Sequence, residues 1–208
     1  MWIDLNQLDA SNAYKLLTST ITPRPIAWVS SLSAEGVLNL APFSFFQMVT
    51  DQPPTLMIST QHKADGSRKD TSINIEATHD FVVNLVPHAL ANEMNISAAA
   101  VPGDQSEFEL ARLEQAPSSQ IKVPRVALAP VALECRLAKL QPYPPENPSC
   151  EVIFAQVLAL YINPAMLDGK GMPDPYKMDL ISRIGGSGYS RVAADIFQLA
   201  RPASAVRR

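Results

Sequence analysis

Along this chain, apolar positions come in short runs broken by proline, glycine and small polar residues, the pattern of strands joined by turns. PIAWVSSL (25–32) is rich in β-formers, and Ser-Ala-Glu-Gly follows it as a turn. VLNLAPFSFF (37–46) returns as a second strand. Proline cannot donate to a ladder, so Pro42 predicts an edge strand or a bulge at which pairing lapses. PTLMIST (54–60) and FVVNLV (81–86) read as two further strands. APVALECRLAKLQ (129–141) and CEVIFAQVLALYI (150–162) are longer, and predict a hairpin around the proline-rich PYPPENPS.

Helical signals are shorter. ASNAYKLL (10–17) predicts one or two turns capped by Ser11 or Asn12, ending before Thr22-Pro23. GSRKDTSINIEAT (66–78) reads as a loop and a helix that Ser67 or Asp70 would cap, anchored by Ile73 and Ile75. Residues 89–100 and 106–115 also read as helical, with Ser106 and Glu109 fitting a capping box. A loop-rich remainder, a short helix near 191–200 and a frayed tail (201–208) complete the chain. At least six antiparallel strands with short peripheral helices predict a mainly β, α+β chain, a closed or split barrel in one domain over 1–208.

Composition narrows the chemistry. The 208 residues are 47% hydrophobic and 18% charged, ordinary for a globular protein. The net charge of −3 and the lack of a basic, aromatic-interleaved patch argue against nucleic acid. Eighteen prolines against eight glycines predict ordered connections. Cys135 and Cys150 have no metal spacing and form no disulfide framework; acids near the start and the lack of an 18-residue apolar run predict a reduced, cytoplasmic protein with no membrane partner. His62, His79 and His88 lie far apart, so no metal site is expected. No G-x-G-x-x-G, G-x-S-x-G or G-K-[ST] motif occurs, which leaves the chemistry to a bound cofactor.

Three segments are candidates for holding one. Ser67–Thr71 places basic and hydroxyl side chains at a helix N-terminus, where unpaired N–H groups and the dipole favour a phosphate; read alone, a solvated loop with an ordinary capped helix fits better, because short charged loops are common. NLAPFSFF would let a flat ligand approach the backbone, or would simply be a buried strand. Arg24, held extended by flanking prolines, would meet a phosphate or carboxylate, or pair with a surface acid.

Taken in order, TPRPIAWVSSLSAEGVLNLAPFSFF, Asp51-Gln52-Pro53-Pro54, Lys69-Asp70-Thr71 with Asn74-Ile75, FVVNLV, Ser106–Glu109, Pro130–Cys135 and RIGGSGY (183–189) resemble the flavin reductase-like, FMN-binding split-barrel family across about residues 14–191. The resemblance implies a homodimer of antiparallel split barrels with FMN, or FAD, near the subunit interface and NAD(P)H as co-substrate. It implies that Asn39, Ala41, Pro42, Phe43 and Ser44 lie along the isoalloxazine ring. Ser59, Thr60, Arg68, Lys69, Asp70 and Thr71 would hold the ribityl chain and phosphate. Arg24 and Tyr189 would touch flavin, substrate or only the interface, and residues 61–65 are assigned nothing. The implied activity takes a hydride from NAD(P)H onto flavin and passes electrons to free flavin for a partner monooxygenase or to a small aromatic, including nitroaromatic, substrate. Backbone donors would stabilise the reduced ring, and loop 142–148 would cover the pocket or meet the second subunit. A non-catalytic FMN electron carrier is the alternative.

Overall fold

The structure, a computed structural model, describes residues 1–200; the tail expected to fray lies outside the described residues. In chain order the strands are β1 (Arg24–Pro25), β2 (Ala27–Leu32), β3 (Leu38–Phe43), β4 (Phe46–Asp51), β5 (Pro54–Gln61), β6 (Asp80–Asn84), β7 (Gln115–Ala116), β8 (Arg125–Val126), β9 (Val131–Tyr143), β10 (Cys150–Ile162), β11 (Ile181–Arg183) and β12 (Tyr189–Arg191). The helices are α1 (Ala10–Thr20), α2 (Asp70–Thr78), α3 (Ala91–Ile96), α4 (Glu107–Leu110) and α5 (Pro175–Met178).

Seven strands form one antiparallel sheet in the order β3-β2-β6-β9-β10-β5-β4. Its two edge strands, β3 and β4, are consecutive in the chain and separated only by Ser44 and Phe45. A sheet whose ends are joined by two residues must curl until they meet, so it forms a barrel split at the β3/β4 seam. The Ser59 N–H donates to Phe45 O at 2.8 Å and pins the crossing. VLNLAPFSFF is therefore not one strand: its last residue begins the opposite edge of the sheet.

The barrel buries both faces of β2, which explains its unbroken apolar run. Ala27 and Val29 point inward to Leu56, Ile58, Phe81, Val83 and Ile153. Trp28 points outward, under Met94 and Phe108 from α3 and α4. Its indole N–H donates to Ser97 Oγ at 2.8 Å, fixing the segment that follows α3. Helix α2 packs against β2 with Ile75 in the inner core; Ile73 is exposed and anchors nothing.

Edge position proves right for Pro42, but pairing does not lapse there. The register runs unbroken through Trp28↔Pro42 and Ala27↔Phe43. Leu40 N–H bonds a side chain away from β2, so by the two-residue alternation the nitrogen of Pro42 also faces away, and no ladder bond is lost.

The caps differ from expectation. Asp9, not Ser11 or Asn12, caps α1, accepting from Asn12 N–H at 2.9 Å, and the helix runs to Thr20. Neither Ser67 nor Asp70 caps α2: Lys69 is its N-cap residue and makes no side-chain cap bond. Ser106 makes no cap bond either, and α4 is only four residues long, followed by the short strand β7. Near 191–200 there is a 3-10 turn at Val192–Ala194 rather than a helix.

Candidate functional site

A cleft of about 640 Å³ opens beside the outward edge of β3. One wall is Asn39 and Ala41–Phe45; facing it are Ser59, the segment from Gln61 to Asp65, and Lys69–Thr71 at the start of α2. Residues 97–101 and Glu107 form a further side, and Tyr14 of α1 lines it beside Phe45, their ring centroids 6.4 Å apart.

The α2 end of the cleft is built for an anion. Within α2, Ser72 and Ile73 N–H turn back to Lys69 O, leaving the amides of Asp70 and Thr71 unpaired among the described residues. With no side-chain cap, the positive end of the helix dipole faces the cleft. Lys63 lies 3.0 Å from Asp70, whereas Lys69 forms no ion pair among the described residues. Asn39 Nδ2 donates to Thr71 Oγ1 at 2.9 Å and ties β3 to the helix start.

Behind this corner sits Glu151, 1% exposed. His62 Nε2 approaches Glu151 Oε1 at 2.8 Å, Arg68 Nε lies 3.1 Å from the same oxygen, and the Thr60 hydroxyl donates to Oε2 at 3.3 Å. Arg68 Nη1 reaches Glu76 at 2.6 Å, while its buried Nη2 has no hydrogen-bond partner among the described residues.

The β3 edge offers acceptors rather than donors. Leu40 N–H is taken by Glu107 Oε2 at 2.8 Å, and Pro42 has no N–H to give. Between 40 and 43 the outward-facing group left on the cleft is the Pro42 carbonyl, since Leu40 is fully buried and does not line it. Burial, with Asp70 nearby, pushes the Glu107 carboxyl above its ordinary value.

Nine of the residues singled out by sequence line this cleft: Asn39, Ala41, Pro42, Phe43, Ser44, Ser59, Lys69, Asp70 and Thr71. Thr60 is buried behind it against Ser72 and Glu151, and Arg68 is drawn back onto Glu76 and Glu151. Arg24 lies outside the cleft lining. It is 8% exposed, donates to the carbonyls of Thr18, Ile21 and Ile184, and holds Ser44 Oγ at 3.4 Å. Tyr189 lies away from the cleft under the Arg183 guanidinium. Residues 142–148 do not line it either.

Sequence reasoning passed over Tyr14, Ser97–Val101 and Glu107, assigned nothing to Gln61–Asp65, and held Phe45 only as part of NLAPFSFF. For Glu107 a signal existed: an acid between Ser106 and Phe108, whose ring is in the core, is carried inward with its neighbour. Nothing local marks the others, which reach the cleft through barrel closure.

Against known proteins, residues 19–172 match the family described as flavin reductase like domain. The structure of nitrilotriacetate monooxygenase component B from Bacillus cereus superposes with a TM-score of 0.91 at 36% identity, covering 96% of this chain and 98% of that one. The 2-nitrobenzoate 2-nitroreductase of Pseudomonas fluorescens gives 0.88 at 32% identity, covering 98% of each chain. A split-barrel-domain protein from Shewanella frigidimarina shares the fold, with a TM-score of 0.81 at 19% identity over 99% of this chain and 100% of that one.

Proposed function

Since this chain belongs to the flavin reductase-like family, we propose that it is an FMN-dependent oxidoreductase using NAD(P)H. The observation that carries this reading is the cleft's two-ended character. An uncapped helix start with a lysine free of ion pairs lies at one end. A flat backbone edge of small and aromatic residues runs toward the other. The residues fit the group: Arg68 Nη2 is a buried donor without a partner among the described residues, behind the corner a phosphate would occupy.

In this reading the two-electron chemistry, hydride acceptance and onward transfer, is the flavin's. Lys69 and the Asp70 and Thr71 amides neutralise the phosphate. Glu151 holds His62 and Arg68 in place at the same end. Along β3 the Pro42 carbonyl would accept from an N–H donor of the ring, and Ala41 leaves room beside it. Donors to the opposite charge come from side chains such as Ser44 and Ser59, because β3 has no free outward N–H between 40 and 43. FMN suits the site better than FAD because the phosphate corner ends against the Glu151 cluster.

Electrons pass to free flavin, feeding a partner monooxygenase, or to a small aromatic substrate. Likeness to a monooxygenase component and to a nitroreductase supports both. The aromatic acceptor is favoured by one observation: Tyr14 and Phe45 form an aromatic wall at the far end of the cleft. A homodimer completes the reading, with the exposed Leu16 and Leu17 of α1, Ile21 just beyond it, and Met48 and Val49 of β4 covered by the second copy.

Titration of the purified protein with FMN, then NAD(P)H oxidation against a panel of acceptors, tests the reading. Saturable flavin binding with acceptor-dependent turnover is expected. Absence of flavin binding overturns it, and binding without turnover points to the carrier.

A further inference from the structure

Glu107 is a buried carboxylate of which only half is used. It is 6% exposed, and Oε2 accepts from Leu40 N–H. No hydrogen bond is made to Oε1 among the described residues, yet the residue lines the cleft. It also lines a small adjoining cavity of about 70 Å³ that shares Asn39 and Asp70. Oε1 is left open toward the cleft, so a donor brought there meets an acceptor already held in place, and hydrogen bonds to a carboxylate are among the stronger ones. Neither cation lining the α2 end satisfies it: Lys63 is held by Asp70, and Lys69 forms no ion pair among the described residues.

We propose that Glu107 is a ligand-binding residue for polyol hydroxyls: Oε2 fixes the edge strand while Oε1 accepts an O–H from the ribityl chain. The inference rests on the flavin reading above. Its chemistry follows from position. Asp70 and Thr71, beside Glu107, mark the phosphate end, and the ring lies along β3 beyond Asn39; the stretch between them is the polyol. A carboxylate repels a phosphate but binds a hydroxyl through a charge-assisted bond.

Riboflavin and lumiflavin share the ring and lack the phosphate; only riboflavin carries the polyol. Their dissociation constants for the full-length protein, Glu107→Gln and Glu107→Ala therefore isolate the hydroxyl contact from any loosening of β3. The preference for riboflavin over lumiflavin is expected to fall about tenfold in Glu107→Ala. In Glu107→Gln, which keeps an acceptor for Leu40 N–H, it is expected to fall by a smaller factor with lumiflavin binding unchanged. Equal weakening of both ligands, or of neither, in Glu107→Gln overturns the inference even where Glu107→Ala fails to fold, and leaves the flavin reading intact. If the unmodified protein binds neither flavin, that reading falls and this inference with it.

Discussion

Single side chains divide here between holding the barrel and facing the cleft, and substitutions separate the two. Arg24 belongs to the first group. Its guanidinium donates to Thr18 O and Ile21 O at the end of α1 and reaches Ile184 O across the β1–β11 pair. Arg24→Ala is expected to cost roughly 2–3 kcal/mol in chemical denaturation, with any loss of FMN affinity below threefold. Pro-Arg-Pro announced a fixed direction in sequence, but not what the arginine would meet, because its partners come from α1 and from a strand about 160 residues away. Glu134 is also structural. Burial pushes its carboxyl up, but hydrogen bonds from Ser119 N–H, Gln120 N–H and the Ser119 hydroxyl outweigh this and hold it below its ordinary 4.5. A depressed carboxyl stabilises the fold above its unfolded value and loses that contribution as pH falls through the folded one. Unfolding monitored from pH 7 to 3 should therefore show a steeper acid loss in the native protein than in Glu134→Gln, which starts less stable at pH 7.

At the scale of elements, the strands were legible because their cause is local. Short apolar runs bounded by turn residues mark β2, β5, β6, β9 and β10, and the β9–β10 hairpin emerges almost as its sequence predicts. The break at Ser44-Phe45 was not legible. It arises because β4 pairs with β5 at the far edge of the sheet, and no residue within 37–46 records where the barrel will close. Helix caps were misread for a related reason: several hydroxyl and acidic residues stand at each start, and the chain's approach decides which one bonds. For α2 the missing cap is the feature that matters, since it leaves the amides open. Ile75 holds this helix in the inner core, so Ile75→Ala should cost about 2–4 kcal/mol and weaken FMN binding too, by loosening the helix start. Adding phosphate to the unliganded protein should raise its melting temperature, and less so in Lys69→Ala.

For the molecule as a whole, the family and the split barrel follow from many separated blocks in shared order, which is why the sequence could indicate them. Which residues complete the cleft depended on curvature: Tyr14, Phe45, His62 with Lys63, and residues 97–101 come from four separate stretches brought together only when the sheet curls. No helix among the described residues is long and apolar enough to cross a membrane. In the homodimer proposed above, the exposed apolar faces of α1 and β4 are what the second copy covers. Leu17→Glu should shift the protein toward monomer in sedimentation, with a melting temperature that becomes independent of concentration. The central claim is that flavin lies with its phosphate at the start of α2 and its ring along β3. Calorimetric titration of FMN and riboflavin into the native protein and Lys69→Ala tests it most directly. The prediction is saturable FMN binding, weakened about tenfold by Lys69→Ala, with riboflavin affinity unchanged. Absence of FMN binding, or equal loss for both ligands, would contradict it.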